Sequence, residues 1–308
     1  MSKVRAYITS FRLRTLPLSL SGVLLGSLLA ASDGYFKTTT FVWAMLTTVA
    51  LQILSNLANE VGDLTKGTDN EHRLGPIRSA QSGALSMREM VQAMIVFGVI
   101  AIITGSLLIY EAFRDLLNWK SISLFIAGGA SIVAAVKYTV GKSAYGYRGL
   151  GDLFVFIFFG LVSVMGSYFA MSGVLPWICV LPAAAIGFLS SGVLNMNNIR
   201  DIENDSVCGK RTIPVILGIR GAKIYHFVIT LLAVICLVVY TILHSAGWTG
   251  YLFLLTLPLL AMHLKSVYRG EGRALDSQLK FLSITTLLIA LLLGFGQLLS
   301  YYGIKKGL

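Results

Sequence analysis

The 308-residue sequence is poor in charged residues and in cysteine. Only 13% of its residues are charged and 56% are hydrophobic, whereas soluble domains carry about 25% charged residues. Three scattered cysteines, Cys179, Cys208 and Cys236, are too few for a disulfide framework or a cysteine-ligated metal site. These deficits exclude a soluble globular fold and a small disulfide-stabilised domain.

Several common catalytic motifs are also absent. The chain has no Walker-type phosphate loop and no Gly-x-Ser-x-Gly nucleophile elbow. Its four histidines, His72, His226, His244 and His263, are too dispersed to indicate haem or zinc ligation. Only His72 lies beside an acidic segment, so a role for histidine is a minor alternative.

The sequence is rich instead in long apolar runs. Segments such as 227–240 and 284–299 lack a polar face, which is typical of helices surrounded by lipid or by other helices. About 20 apolar residues are needed to cross about 30 Å of hydrocarbon. We therefore predict an all-α membrane protein, a single domain over 1–308 built as a bundle of nine transmembrane helices, with spans near 16–32, 40–60, 91–110, 121–139, 152–172, 176–197, 223–243, 249–267 and 281–302.

The basic residues are distributed unevenly between the two ends of these spans. Most of the 25 Lys and Arg lie in or next to the N-terminal segment and the connections that follow the second, fourth, sixth and eighth spans. The five exceptions are Lys37, Arg114, Lys120, Lys305 and Lys306. The positive-inside rule then predicts a cytoplasmic N-terminus, a retained first helix and an outer C-terminus in the cell (inner) membrane. The net charge of +11 has this topological explanation, so no nucleic-acid partner is predicted.

Acidic residues gather at two of the predicted cytoplasmic connections. The segments 61–90 and 198–222 are long and polar, and long polar loops confined to one face usually carry function. These segments and the helix ends leading into them hold more than half of the 14 acidic residues: Glu60, Asp63, Asp69, Glu71, Glu89, Asp201, Glu203 and Asp205. We expect the active site at this end of the bundle.

The first acidic cluster lies at the end of the second predicted span. Asn56, then Asn59 or Glu60, and then Asp63 follow a spacing of three to four residues and share one helix face, and Asp69 follows in the loop. Such oxygen ligands suit Mg²⁺, which uses one or two carboxylates together with substrate phosphate oxygens. A merely solvated helix end is the alternative, but carboxylates at a membrane boundary are costly, which favours a metal site.

The second cluster is more regular. Asn197, Asp201 and Asp205 stand at i, i+4 and i+8, which predicts one stripe on a continuous helix. Like charges at this spacing repel unless a cation lies between them. The alternatives are a calcium-like structural site and an ordinary charged helix end. We predict that both clusters bind Mg²⁺.

Opposed carboxylate rows could hold two Mg²⁺ ions that bridge a diphosphate. Basic side chains would neutralise the remaining charge of the leaving group. Asp63, Asp201, Tyr138 and Lys142 are the candidate catalytic residues. The candidate diphosphate-binding residues are Arg12, Arg14, Arg78, Lys142, Lys210 and Arg211.

These motifs resemble those of the UbiA-type intramembrane prenyltransferases. Asn197-xxx-Asp201-xxx-Asp205 is similar to the second aspartate-rich motif of that family. The first motif, Asn59-xxx-Asp63, departs from the commoner family form because Gly67 occupies its last position.

Asp69 would substitute for the aspartate that is missing at Gly67. The Tyr138-xxx-Lys142 pair is similar to a family element that contacts diphosphate. The resemblance covers nearly the whole chain. It implies a nine-helix bundle, Mg²⁺ as cofactor, a polyprenyl diphosphate and an aromatic acid as substrates, and the lipid bilayer as surroundings.

One branch of the family is especially similar. The strings at 14–17, 52–59, 75–78, 146–151 and 198–202, followed by 209–212, resemble the branch that prenylates 1,4-dihydroxy-2-naphthoate in menaquinone synthesis. The branch usually has Asp where this chain has Glu60. The resemblance implies Mg²⁺-dependent polyprenyl transfer with loss of the naphthoate carboxylate, which gives demethylmenaquinol.

Two alternatives to this function stay open at the level of sequence. A sibling prenyltransferase would use another aromatic acceptor, such as 4-hydroxybenzoate. An ion-coupled secondary transporter would place carboxylates at the bilayer midplane, whereas the centres of these spans carry no charge.

Aromatic residues of the fifth span could shield an allylic carbocation, although each one taken singly is better explained as a lipid-facing or packing residue. Asp152 at the start of that span is either a favourable charge at a helix N-terminus or an acceptor-binding group. The aromatic candidates are Phe154, Phe156, Phe158, Phe159 and Tyr168.

Overall fold

Apolar runs of this length form a helical bundle. The structure, a computed structural model, describes residues 2–244 and 247–306, with side chains described up to Tyr301. Lys305 and Lys306 therefore lie outside the described side chains. The described residues form helices and no strands. Nine helices among them are long and apolar enough to cross a membrane, as predicted: Lys3–Ser32, Thr38–Thr65, Met87–Phe113, Trp119–Lys137, Gly151–Ser172, Trp177–Arg200, Ile213–Leu243, Trp248–Arg269 and Gly272–Tyr301.

The helices extend beyond the apolar runs at the end where acidic residues gather. The second span continues to Thr65, five residues beyond its predicted limit of 60, and so places Asp63 on its last turn. The third span begins after Ser86, which forms a capping box with Glu89. Hydropathy marks where a helix stops being apolar, while capping and hydrogen bonding decide where it ends.

The first span begins with a short separate helix, Lys3–Phe11, on the same side as the acidic clusters. Arg12 ends it in the left-handed backbone region, with φ of 49°, which is uncommon for a residue with a side chain. Ser79 Oγ donates a hydrogen bond to the Ala6 carbonyl and so fixes the short helix to the 66–86 connection. The turn directs Arg12 towards the bundle interior.

Glycine permits close packing between neighbouring spans. A Cβ atom on Gly160 would lie 2.6 Å from Gly187 Cα and 2.5 Å from the Ala183 carbonyl oxygen. The fifth and sixth spans therefore approach backbone to backbone, as small residues allow in membranes. Residues Phe156–Met165 of the fifth span are wound as a π-helix, a form often found at functional sites.

Three connections meet at the acidic end of the bundle. The Thr68 hydroxyl lies 2.6 Å from the Tyr147 hydroxyl, and Asn204 Nδ2 donates to the Thr68 carbonyl at 2.8 Å. The Arg211 amide donates to the Tyr147 carbonyl at 3.2 Å. These bonds join the connections after the second, fourth and sixth spans into one layer above the helix ends.

Candidate active site

A cavity of about 610 Å³ opens beneath this layer, among the spans. Its charged lining residues lie towards one end, together with the amides of Gln52, Asn56, Asn59 and Asn197, and the rest of its wall is formed by apolar, hydroxyl-bearing and glycine residues. The charged lining residues are Arg12, Arg14, Asp63, Arg73, Arg78, Lys210, Asp276 and Lys280. We call the end with the charged side chains the polar head of the cavity and the rest of it the uncharged body.

Asp63 is buried at the centre of the polar head. Arg78 Nη1 donates to Asp63 Oδ2 at 2.9 Å and also contacts Asp69 Oδ2 at 2.5 Å. The Tyr147 hydroxyl donates to Asp63 Oδ1 at 2.8 Å. The Arg78 guanidinium thus joins the carboxylates of Asp63 and Asp69. The Tyr147 phenol orients the carboxylate of Asp63.

The helix that carries the second motif is interrupted, so our prediction of a continuous helix is wrong at Asp201. The sixth span ends at Arg200, Asp201 has φ of −102° and ψ of 15°, and a separate short helix covers Ile202–Val207. The Leu74 amide donates to Asp201 Oδ1 at 3.2 Å, so this carboxylate is bound to the neighbouring connection.

The one-turn spacing of the second motif nevertheless persists across the break. The Asp201 amide donates to the Asn197 carbonyl at 3.3 Å, and the Asp205 amide donates to the Asp201 carbonyl at 2.8 Å. These two bonds keep the three residues one turn apart, as the sequence pattern predicts.

The two motifs face each other, with protein cations between them. Arg73 Nε lies 3.4 Å from Asp69 Oδ1 and 3.7 Å from Asp201 Oδ2. Lys210 Nζ lies 3.6 Å from Asp63 Oδ1 and 3.8 Å from Asp205 Oδ1. Crowded buried carboxylates require such counter-charges.

The protonation of the cluster follows from this balance. Burial raises the pKa of Asp205 to about 6 and also raises the pKa of Asp69. Burial acts in the same direction on Asp201, but the hydrogen bond and charge of Arg200 outweigh it and hold the pKa of Asp201 below its usual range. Of Asp69, Asp201 and Asp205, Asp201 is therefore the carboxyl group that most readily stays ionised.

The oxygen atoms of this site fit Mg²⁺. Asn59 lines the cavity one helical turn before Asp63, and its Oδ1 atom is buried without a hydrogen-bond partner among the described residues. In the same part of the chain no three His, Cys, Asp or Glu side chains converge into a metal site built from protein alone. Mg²⁺ does not require one, because it keeps waters and shares substrate phosphate oxygens.

Most of the other predicted head-group ligands reach the cavity. Arg12 and Arg14 line it from the first span, and Tyr138 lines it from the end of the fourth. The Arg12 Nη2 and Arg78 Nε atoms are buried and have no hydrogen-bond partner among the described residues. These unused donors are suited to an anionic ligand.

Six predicted residues do not line the cavity. Asp69, Asp201 and Asp205 lie just behind its wall, where they pair with the cavity-lining cations Arg73 and Lys210. The other three lie farther from these contacts. Glu60 accepts a hydrogen bond from the Ala80 amide at 2.7 Å and borders a smaller neighbouring cleft. Lys142 and Arg211 are exposed and are not among the residues that line the cavity. Their roles in metal or diphosphate binding stay predictions.

The aromatic candidates divide in the same way. Phe154, Phe158 and Phe159 line the cavity, and Tyr145 stacks on Phe154 with ring centroids 3.9 Å apart. Two candidates do not line it. Phe156 packs on Phe188, and the Tyr168 hydroxyl donates to Asp33.

Asp152 is not part of the cavity wall either. The Tyr225 hydroxyl donates to its Oδ1 atom at 3.2 Å, and the Ser191 hydroxyl donates to its carbonyl. Asp152 thus joins the fifth span to the sixth and seventh, and an acceptor-binding role for it stays a prediction.

Sequence reasoning missed Arg73, Tyr147 and Arg200. The Arg200 side chain is fully buried and bonds Asn197 and Asp201 as well as Asp276, the last at 2.6 Å. An arginine directly beside a motif aspartate was the available signal for Arg200. In the sequence Arg73 is one of many loop cations that the positive-inside rule explains, and only the folded connection shows its contacts with Asp69 and Asp201.

Comparison with known proteins agrees with this geometry. The UbiA prenyltransferase family matches residues 19–286. A 1,4-dihydroxy-2-naphthoate octaprenyltransferase of Haemophilus influenzae is 39% identical over 303 residues, which cover 96% of this chain and 97% of that protein. The Escherichia coli enzyme of the same name is 40% identical over 269 residues, 87% of each chain.

Solved structures share the fold. The apo structure of a UbiA homologue from Aeropyrum pernix superposes with a TM-score of 0.67 at 21% identity, covering 94% of this chain and 97% of that one. A UbiA homologue from Archaeoglobus fulgidus bound to DMAPP and Mg²⁺ gives 0.63 at 16% identity, covering 95% and 99%. With a family match over most of its length and two relatives near 40% identity, this chain belongs to the UbiA prenyltransferase family.

Proposed function

We propose that this enzyme transfers a polyprenyl group from polyprenyl diphosphate to 1,4-dihydroxy-2-naphthoate, with loss of the carboxylate, to give demethylmenaquinol. The observation that carries the proposal is the pairing of two opposed acidic motifs at the head of an otherwise uncharged cavity. The names of the two closely similar relatives support the choice of acceptor.

The charged head is suited to a diphosphate leaving group. Mg²⁺ bound by Asn59, Asp63, Asn197, Asp201 and Asp205 would neutralise charge that develops on the diphosphate as its C–O bond breaks. The unused donor atoms of Arg12 and Arg78 would bind non-bridging oxygens and hold the departing group in place.

The wall next to the head is suited to the cationic fragment. The rings of Tyr145, Phe154 and Phe158 line the cavity and would stabilise an allylic carbocation, which water would otherwise capture. A carbon–carbon bond then forms to the electron-rich ring. The carboxylate leaves as CO₂, and the electron pair of its bond to the ring restores aromaticity.

We also propose that the acidic end faces the cytoplasm of a cell with the protein in its inner membrane. The uneven distribution of Lys and Arg supports this orientation. The charged acceptor and the released diphosphate would then exchange with the aqueous side, while the polyprenyl tail stays in the apolar phase.

The test is a reconstituted transfer assay with purified protein, Mg²⁺, octaprenyl diphosphate and candidate aromatic acids. We expect a prenylated, decarboxylated product from 1,4-dihydroxy-2-naphthoate and loss of turnover when EDTA removes the metal. Transfer that persists in EDTA would rule out the metal role. Transfer to 4-hydroxybenzoate alone would overturn the proposed acceptor.

A further inference from the structure

The start of the ninth span forms a polar wall of the cavity that belongs to neither acidic motif. Asp276, Lys280 and Ser283 all line the cavity, and they share one helix face because they are spaced four and three residues apart. The ninth span packs against the first and sixth spans. The polar head therefore has a third charged element, separate from the two motifs.

Asp276 fixes this wall to the second motif. Arg200 Nη1 donates to Asp276 Oδ1 at 2.6 Å, and Arg200 also binds Asp201. Arg14 Nη1 lies 3.8 Å from Asp276 Oδ2. The negative charge of Asp276 is thus balanced by arginines rather than by Lys280, which lies one helical turn farther along the span.

Lys280 is a cation without a protein partner. Among the described residues its Nζ atom makes no hydrogen bond and no ion pair, whereas Arg73, Arg78 and Lys210 each contact a motif carboxylate. The side chain is exposed and borders the open cavity. An amine in this position is free to bind an anionic group of a ligand.

The contact between Arg200 and Asp276 also sets the depth of Lys280. The sixth span ends at Arg200 and the α-helix of the ninth begins at Asp276, so the residues before the one and after the other run side by side into the bundle. Lys280 lies four residues, roughly 6 Å, deeper than this contact. It is therefore level with the helical turn of Asn197, the first residue of the second motif.

A buried hydroxyl without a partner lies deeper on the same side of the cavity. Ser190 lines the cavity and is 1% exposed, and its Oγ atom has no hydrogen-bond partner among the described residues. The nearby Gly192 faces the ninth span, since a Cβ atom there would lie 3.3 Å from Leu282 Cδ2. Ser190 is seven residues, roughly 10 Å, along the helix from Asn197. A buried hydroxyl that stays unpaired costs free energy, so a polar atom of a ligand is favoured here.

The wall between these two polar groups is apolar. Val193 and Leu194 line the cavity between the level of Lys280 and Ser190. A cation at one end, a hydroxyl at the other and an apolar surface between them suit a hydroxylated aromatic acid. Its carboxylate would pair with the amine, its ring hydroxyl with the serine, and its ring would lie on the two aliphatic side chains.

We propose that Lys280 binds the carboxylate of the aromatic acceptor and that Ser190 pairs with a ring hydroxyl, so that the wall between the sixth and ninth spans selects the acceptor. The inference rests on the proposed prenyl transfer and adds the residues that position the acceptor ring. The acceptor carboxylate and the diphosphate then bind to different cations. Loss of Lys280 should therefore affect one substrate and not the other.

The experiment compares Lys280→Gln with Lys265→Gln in the purified enzyme. Lys265 is an exposed lysine of the eighth span that does not line the cavity. KM is measured for 1,4-dihydroxy-2-naphthoate and for octaprenyl diphosphate, each with the other substrate saturating. We expect Lys280→Gln to raise KM for the naphthoate about 10-fold or more and KM for the diphosphate less than about 2-fold, while Lys265→Gln changes neither. Lys280→Arg keeps the charge and should restore KM for the naphthoate.

A second measurement tests the charge itself. 1-Hydroxy-2-naphthoate and the corresponding amide are compared as competitors of the acceptor. We expect the acid to inhibit the wild-type enzyme more strongly than the amide, and Lys280→Gln to lose this preference because the carboxylate has lost its counter-charge. Ser190→Ala should raise KM for the naphthoate and keep the preference for the acid.

The contrary outcomes are distinct. A raised KM for octaprenyl diphosphate with an unchanged KM for the naphthoate would assign Lys280 to the diphosphate and overturn the inference, as would unchanged constants for both substrates. Lys280→Met and Ser190→Ala provide the same test if Lys280→Gln does not fold. Wild-type protein that transfers a prenyl group to no aromatic acid would contradict the proposed function itself, so the two failures can be distinguished.

Discussion

At the scale of single residues, charge compensation defines the site. Asp63 and Asp201 belong to different motifs, and each is bound to an arginine, Arg78 and Arg200 respectively. Lys210 and Arg73 lie between the motifs. The carboxylates are therefore held ionised and positioned before any metal or substrate binds.

We expect Asp63→Asn and Asp201→Asn each to lower turnover by more than about 100-fold, because the amide removes the negative charge with which the carboxylate attracts Mg²⁺. The measurement is the transfer assay at saturating Mg²⁺, with gel filtration and thermal unfolding as checks of folding. Glu203→Gln is the matched control, since Glu203 lies in the same segment but is exposed. Near-normal activity of either aspartate variant would refute the proposed metal ligands.

Tyr147 is a positioning residue that the sequence did not reveal. Burial and the charge of Asp63 raise the pKa of its phenol, so it stays protonated at neutral pH and donates to that carboxylate. Tyr147→Phe should raise the Mg²⁺ concentration for half-maximal activity about 10-fold, with little change in melting temperature. Tyr268→Phe, at a tyrosine that is 79% exposed, should change neither quantity. An unaltered Mg²⁺ requirement in Tyr147→Phe would contradict the positioning role.

At the scale of elements, the fifth span combines a π-helical segment with close packing. Its segment Phe156–Met165 contributes Phe158 and Phe159 to the cavity, while Gly160 contacts the sixth span. One face of this element thus forms part of the cavity wall, and another fixes its position in the bundle.

Gly160→Val should therefore destabilise the protein by about 1–3 kcal/mol through overpacking against Gly187. Thermal unfolding in detergent measures the effect. Gly98→Val serves as the control, because nothing lies within 4 Å of a Cβ atom at that position. Equal melting temperatures for the two variants would show that the contact between the fifth and sixth spans contributes little.

At the scale of the whole molecule, all connections that carry acidic motifs lie at one end of the bundle. The exposed residue Leu117, in the third connection, lies at the opposite end from Glu203. The positive-inside rule predicts that the Glu203 end faces the cytoplasm.

This orientation is tested by thiol labelling in a variant lacking Cys179, Cys208 and Cys236. With a membrane-impermeant maleimide, we expect Leu117→Cys to react in right-side-out vesicles and Glu203→Cys to react only in inverted ones. The reverse pattern would place the active site outside and would overturn the proposed localisation.

The sequence by itself determined the features that depend on local composition and spacing. Nine spans follow from the lengths of the apolar runs, and the acidic motifs follow from carboxylates and amides one helical turn apart. These properties belong to short segments and persist whatever the neighbouring helices do.

Only the tertiary structure decided which groups meet. Residues distant in sequence pair across connections, as Arg73 and Lys210 do with both motifs. At the helix break, Asp201 accepts a hydrogen bond from the Leu74 amide of the neighbouring connection. Gly128 faces the cavity while Gly98 does not, although both are glycines within apolar spans. The reason is physical: packing between helices, rather than the pattern within one helix, determines which face borders a cavity and which counter-charge a buried carboxylate receives.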